Sequence, residues 1–231
     1  MTRPLTLLLA GLLLAAFAAC GDKEKEAASA TTTTEATPTP EDTGGEQGTG
    51  CEPAAKAAPK RAKLAKPRQK LDSAKTYVAT VTTNCGEFEI TLDAKRAPRT
   101  GGSFKYLADK RFFDGLSFHR IVPGFVIQGG DPNGEGGGGP GYSVVEAPPE
   151  DLAYGKGVVA MAKTQIDAPG TSGSEFFVVT GEGTPLPPEY ALLGKVTAGQ
   201  DVVDTIGVAP VGPDEQPVEP IVMKSVRVAE G

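Results

Sequence analysis

The segment Tyr77-Val78-Ala79-Thr80-Val81-Thr82 alternates and is rich in β-branched residues, which reads as a strand with one face toward a core. Asn84-Cys85-Gly86 supplies a turn, and Glu87 to Leu92 alternates charged with apolar residues, predicting the second strand of a hairpin. Ala97-Pro98-Arg99-Thr100 opens a helix with proline near its start, where a missing N–H costs little. Phe104, Leu107 and Ala108 then share a face, although Gly101 and Gly102 lower the helical propensity. Beyond Asp114-Gly115 the pattern changes to short apolar runs between glycines: SFHRIV, FVIQGG, GVVAMA, EFFVVT and YALLGKV. A short helix fits Asp201 to Ile206, and Ile221 to Ala229 reads as a closing strand. Many short strands, frequent turns and only two helices imply a mainly β domain, an antiparallel closed barrel rather than an α/β sheet.

The N-terminal third follows different rules. Arg3 precedes an apolar run from Leu5 to Ala19 that ends in Ala18-Ala19-Cys20. The run is shorter than the roughly 20 apolar residues of a membrane-spanning helix, and it has the n- and h-regions of a secretory signal. It resembles a bacterial lipoprotein signal, with Cys20 as the lipid site; Phe17 stands where leucine is usual. Residues 1–19 are therefore expected to be a signal peptide, and residues 20–50, rich in Thr, Ala, Glu, Gly and Pro without an apolar period, a disordered tether. Residues 51–75 are a basic linker and 76–231 the folded domain. The expected location is outside the cytoplasm, lipid-anchored to the bacterial cell membrane.

Charge narrows the partners. Residues 51–75 carry eight bases against Glu52 and Asp72, whereas residues 76–231 carry twelve bases and twenty acids, a net of −8. A nucleic-acid binder would show a basic face on its folded part, so no nucleic-acid partner is expected. The basic segment reads as a solvated Ala/Lys/Pro spacer in preference to a contact with anionic polymer or lipid headgroups. With Cys20 taken by lipid, Cys51 and Cys85 remain in an oxidising compartment and are expected to form a disulfide. One histidine and no Cys/His cluster leave no metal site. The glycine-rich stretch from Gly130 to Gly141 lacks the Lys-Ser/Thr of a phosphate loop and reads as a flexible surface loop.

The remaining chemistry lies in FHRIVPGFVIQGGD, Phe118 to Asp131, which places Arg120 among apolar residues. An unpaired buried guanidinium is costly, so Arg120 either pairs with an acid or points into a groove. That motif, followed in order by the glycine-rich loop, GVVAMAK, GTSGSEFFVVTG and YALLGKV, resembles the cyclophilin family of peptidyl-prolyl cis–trans isomerases, from about Tyr77 to Val228. The resemblance implies an eight-stranded antiparallel closed β-barrel capped by two α-helices, with a peptide groove on its outer face. It also implies a monomer without cofactor that acts on proline-containing peptides or unfolded proteins. Arg120, Gln128 and Phe125 are assigned to catalysis by the family's motif, which also places Val126, Phe177 and Leu186 in a cup for the proline ring. Ala162, Lys163 and Glu175 would lie along a neighbouring subsite, with Tyr190 at the rim. His119, counted with the peptide-binding positions, would point away from Arg120 in a flat strand and reads as a framework residue in preference to a direct peptide contact.

The residues suit that chemistry. Rotation about an X–Pro bond makes and breaks no covalent bond; its barrier of ~18–20 kcal/mol is amide resonance. As the bond twists, the prolyl nitrogen becomes pyramidal and gains a lone pair. A fixed donor aimed there stabilises the twisted state more than the planar one, and arginine is always protonated, with a planar fork of donors. Three positions depart from the common pattern: Pro185 for tryptophan, Lys163 for asparagine and Glu175 for glutamine. A carboxylate at Glu175 would either divert Arg120 or favour basic peptides. The alternative function is a catalytically weak peptide-binding or holdase lipoprotein with the same groove.

Overall fold

Strand alternation builds the core from the first hairpin onward. Tyr77–Thr83 (β1) and Gly86–Leu92 (β2) pair antiparallel, and Tyr77, Ala79, Val81, Phe88, Ile90 and Leu92 all enter one apolar core. The structure is a computed structural model that describes residues 50–231 except 57, 61, 62 and 184. The signal segment, Cys20 and the tether through residue 49 lie outside the described residues.

The chain continues through Pro98–Asp109 (α1), Phe118–Val122 (β3), Val126–Gly129 (β4), Val144–Val145 (β5), Val158–Met161 (β6), Thr171–Ser172 (β7), Phe176–Val179 (β8), Leu192–Ala198 (β9), Gln200–Gly207 (α2) and Met223–Glu230 (β10). Eight strands form one curled antiparallel sheet in the order β10-β1-β2-β9-β6-β8-β4-β3; β5 and β7 make a separate two-stranded ladder. At two residues each, those strands are too short for any period to reveal. Helix α1 buries Phe104, Leu107 and Ala108 against the sheet, and α2 buries Val203 and Ile206. Phe104, Phe113 and Phe176 stack in the core with ring centroids 4.8 to 6.0 Å apart.

The expected closed barrel is, as a ladder, an open half-barrel whose ends are β3 and β10. Those ends approach each other at an isolated bridge, Ser117 with Val222, and are not paired as a continuous ladder. Beside it, Met223 N–H donates to Leu116 at 2.8 Å and Phe118 N–H to Ile221 at 2.9 Å.

The basic segment is not a solvated spacer. Its described residues form an extended strap whose backbone N–H groups bond the domain: Glu52 to Asn84 O, Lys60 to Pro132 O, Leu64 to Pro140 O and Leu71 to Pro98 O, all at 2.7 to 2.9 Å. Leu71 is buried in the main core. Here the two glycines of α1 find their reason: a Cβ on Gly102 would stand 2.5 Å from the Gln69 carbonyl oxygen, and one on Gly101 2.5 Å from the Leu71 side chain. The helix tolerates poor propensity because the strap needs its bare surface. The α1 N-terminus is capped from afar, with Glu146 accepting the N–H groups of Arg99 and Thr100 at 2.8 to 3.1 Å. Cys51 and Cys85 are joined in a disulfide across a separation of 34 residues. Leu71→Ala is expected to destabilise the domain by about 2–3 kcal/mol, the low end for a buried leucine because the strap can settle inward. Urea denaturation checks this, and a change below 0.5 kcal/mol would show that the strap is dispensable.

Candidate functional site

Strands β4 and β8 send alternate residues to opposite sides of the sheet. Ile127, Phe176 and Val178 join the main core, whereas Val126, Phe177 and Val179 form a second apolar cluster with Tyr154 and Ala160. Phe125, Ala162, Leu186 and Tyr190 pack against this cluster. A cleft of about 380 Å³ opens over it, lined by Phe125, Val126, Ala162, Phe177, Leu186 and Tyr190 together with Arg120, Gln128, Lys163 and Gln165. Every expected groove residue except His119 and Glu175 therefore lines one cleft. Phe125 and Phe177 are not main-core aromatics; they floor a surface hollow.

The rim is stiffened by a residue that the sequence reading missed. Tyr154 donates its hydroxyl to Tyr190 O at 2.7 Å and accepts from Tyr190 N at 3.1 Å, and the Tyr190 ring stands edge-on to Phe177 at 5.4 Å. Burial pushes the Tyr154 hydroxyl up to about 12, so it stays a donor across the working pH range. Lys163 is drawn to the wall: its ammonium bonds Thr164 O and Asp167 O, lies 3.3 Å from Glu189, and sits over the Tyr190 ring.

Arg120 is paired and stays in the cleft. Its Nε donates to Glu215 Oε2 at 2.6 Å and its NH1 reaches Gln128 Oε1 at 3.5 Å, with the side chain still 36% exposed. Gln128 in turn donates Nε2 to Glu175 Oε2 at 3.0 Å. Glu175 therefore does not divert Arg120; Glu215 is the paired acid.

His119 departs from the flat-strand expectation. Phe118 pairs with Gly129 and Arg120 with Gln128, so His119 is an extra residue in the β3–β4 ladder. Phe118 and Ile121 both enter the core, which leaves His119 and Arg120 on the outer side together. A bulge of this kind re-aims side chains beside it. His119 is buried, with Nε2 3.6 Å from Glu175 Oε2.

The profile of the family described as cyclophilin type peptidyl-prolyl cis-trans isomerase/CLD matches residues 78–228. The chain belongs to this family of isomerases. It is 36% identical over 169 residues to a probable peptidyl-prolyl cis-trans isomerase A of Mycobacterium leprae, covering 65% of this chain and 91% of the relative. It is 37% identical over 174 residues to peptidyl-prolyl cis-trans isomerase B of Streptomyces anulatus, covering 67% and 98%. A crystal structure of a cyclophilin type isomerase from Cryptosporidium parvum, determined in the presence of the dipeptide Ala-Pro, matches with a TM-score of 0.62 at 28% identity, covering 66% of this chain and 98% of that one.

In this cyclophilin, Glu175 and Gln128 line a second cavity of about 300 Å³, bordered by Gly136 to Pro140 and Ala162 to Thr164. Its glycine-rich wall, expected to be a flexible loop, is wound around buried Asp131, whose carboxylate accepts the N–H groups of Asn133, Glu135, Gly136 and Gly137 at 2.5 to 3.1 Å. Burial alone would raise Asp131, but these four donors outweigh it and hold the carboxyl below its ordinary range. Those four N–H groups are thus spent within the loop.

Burial pushes the Glu175 carboxyl up to about 7, with the Asp131 charge adding and the Gln128 bond opposing. Burial also pushes the His119 imidazole down, against the pull of Asp131. Around neutral pH their contact is therefore not a full ion pair. A carboxyl whose folded pKa exceeds its unfolded value binds its proton more tightly when folded, so ionisation opposes folding. That opposition is absent below about pH 4.5 and complete above about pH 7. Glu175→Gln is expected to gain on the parent as pH rises through this window, by ~2 kcal/mol at pH 8. Denaturation at pH 4.5 and pH 8 checks it, and an equal change at both would contradict the assignment.

Proposed function

We propose that this cyclophilin accelerates X–Pro rotation in exported proteins from a lipid anchor at Cys20 on the bacterial cell membrane. Arg120 serves as the donor to the twisting prolyl nitrogen. The observation that carries the reading is the sharing of one cleft by the Arg120 guanidinium and the hollow made by Phe125, Val126, Phe177 and Leu186. A pyrrolidine ring seated in that hollow has its apolar surface removed from water, which favours binding in both planar and twisted states. The guanidinium distinguishes the two states, because only the twisted nitrogen has a lone pair to accept from it. Binding and rate thus come from different residues. Gln128 steadies Arg120 and offers its amide to the peptide backbone.

The Cryptosporidium relative was crystallised in the presence of Ala-Pro, which supports proline-containing peptides as ligands here. Uncatalysed isomerisation takes tens to hundreds of seconds, slow enough to limit folding outside the cytoplasm. A protease-coupled assay on an Ala-Pro peptide tests the donor reading: activity that collapses in Arg120→Ala supports it. Rates close to the uncatalysed one in both proteins point to the peptide-holding alternative. Lipidation is checked by the mass of the mature N-terminal peptide, and an unmodified Cys20 in membrane-derived protein would remove the anchor.

A further inference from the structure

We propose that Glu215 is a positioning residue for Arg120, a carboxylate latch that holds one edge of the guanidinium so that the other faces Gln128 and the cleft. The inference rests on Arg120 being the donor proposed above.

The geometry is two-sided. Glu215 Oε2 takes Arg120 Nε at 2.6 Å, whereas Gln128 Oε1 meets NH1 at 3.5 Å. The long contact alone would leave a side chain with several rotatable bonds poorly aimed. The short, charge-assisted bond to Nε fixes the plane of the fork without occupying NH1 or NH2. A donor must be preorganised toward the place where the lone pair develops, because reorganisation at the moment of reaction forfeits the gain.

The loop that presents Glu215 is built for the task. Val211 and Pro217 form a bridge that closes it. Inside, Gly212 N donates to Gln216 O at 2.8 Å and Glu215 N to Gly212 O at 3.0 Å. Glu215 itself adopts φ +63°, a left-handed backbone that glycine would take more easily. Its carbonyl oxygen accepts Ile121 N at 2.8 Å, so one residue grips both the backbone beside Arg120 and the side chain of Arg120. β3 is an end strand of the sheet, and that grip falls on the edge that faces away from β4. Strained backbone at a non-glycine residue persists where something else needs the side chain; here the side chain is needed by the guanidinium.

The test uses the full chain and four variants: Arg120→Ala, Glu215→Gly, Glu215→Gln and the double variant Arg120→Ala/Glu215→Gly. Glycine deletes the side chain at a φ that it adopts freely, and glutamine keeps an acceptor oxygen for Nε. Catalysis is read by the protease-coupled assay and peptide affinity by NMR titration. The expected result is that Glu215→Gly lowers kcat/KM about tenfold with the peptide Kd within about twofold. Glu215→Gln should recover to within about threefold of the parent, and Glu215→Gly should change nothing further in the Arg120→Ala background. A loss that persists without Arg120 would mark a loop that merely stabilises the fold, and overturns the latch. Parental or higher activity in Glu215→Gly overturns it too, the latter by showing that the carboxylate restrains the donor. Should Arg120→Ala alone keep full activity, the donor reading fails and takes the latch with it. A crippled Arg120→Ala beside an unaffected Glu215→Gly removes the latch only.

Discussion

Arg120→Ala is expected to lower kcat/KM for Ala-Pro peptides by about 10²- to 10³-fold, the loss typical of removing a preorganised donor from a developing charge. The apolar hollow is made by residues of the β3–β4 turn, β4, β8 and the Leu186–Tyr190 segment, which pack on one another as an apolar cluster. Peptide affinity is therefore expected to fall far less than turnover. Arg120 is partly exposed and paired at the surface, so its removal leaves Glu215 solvated and the melting temperature little changed. Arg120→Lys keeps the charge without the fork and should fall between parent and alanine. NMR exchange measurements on a bound peptide separate rate from affinity. A drop in kcat/KM smaller than about threefold, with the fold intact, would show that the donor is elsewhere.

The second large effect concerns stability. Replacing Cys51 and Cys85 by alanine is expected to destabilise the domain by about 3–4 kcal/mol, from the chain entropy released when a loop of this size is opened. The crosslink is not isolated. Buried Asn84 sits next to it and donates to Glu52 O and Pro220 O while accepting from Val222 N, at 2.7 to 3.1 Å. Strap, first hairpin and last strand are thereby stitched at one point. Thermal unfolding with and without reductant measures the effect, with a fall of about 10 °C expected for a domain of this size. A fall of less than about 2 °C would mean that the Asn84 network holds the junction unaided. Neither cysteine lines the cleft, so activity at low temperature should persist.

Much of the fold was legible because alternation is local. Glu87 to Leu92 announces both its strand and its buried face, and Phe104, Leu107 and Ala108 announce the inner side of α1. In β8 the legibility stops short: Phe176 to Val179 are all apolar and all buried, so no pattern says which phenylalanine enters the core and which floors the cleft. That assignment came from the family's motif order. Glu215 was invisible because it meets Arg120 across 95 residues, from a loop with no period of its own. The bulge at His119 was missed for a related reason, since an unpaired residue in a ladder is defined by the partner strand. Leu71 looked like one leucine in a polar run; its burial depends on the two glycines of α1, which read as helix weakeners rather than as a seat.

The strap also moves the point at which the folded body is held. With Cys51 crosslinked to Cys85 and Leu71 in the core, a pull on the chain from the N-terminal side of Cys51 is taken first at the disulfide, and not at the first strand near Thr76. The β1–β2 hairpin therefore bears load together with the strap, and a reductant would shift that load onto the strap's backbone hydrogen bonds.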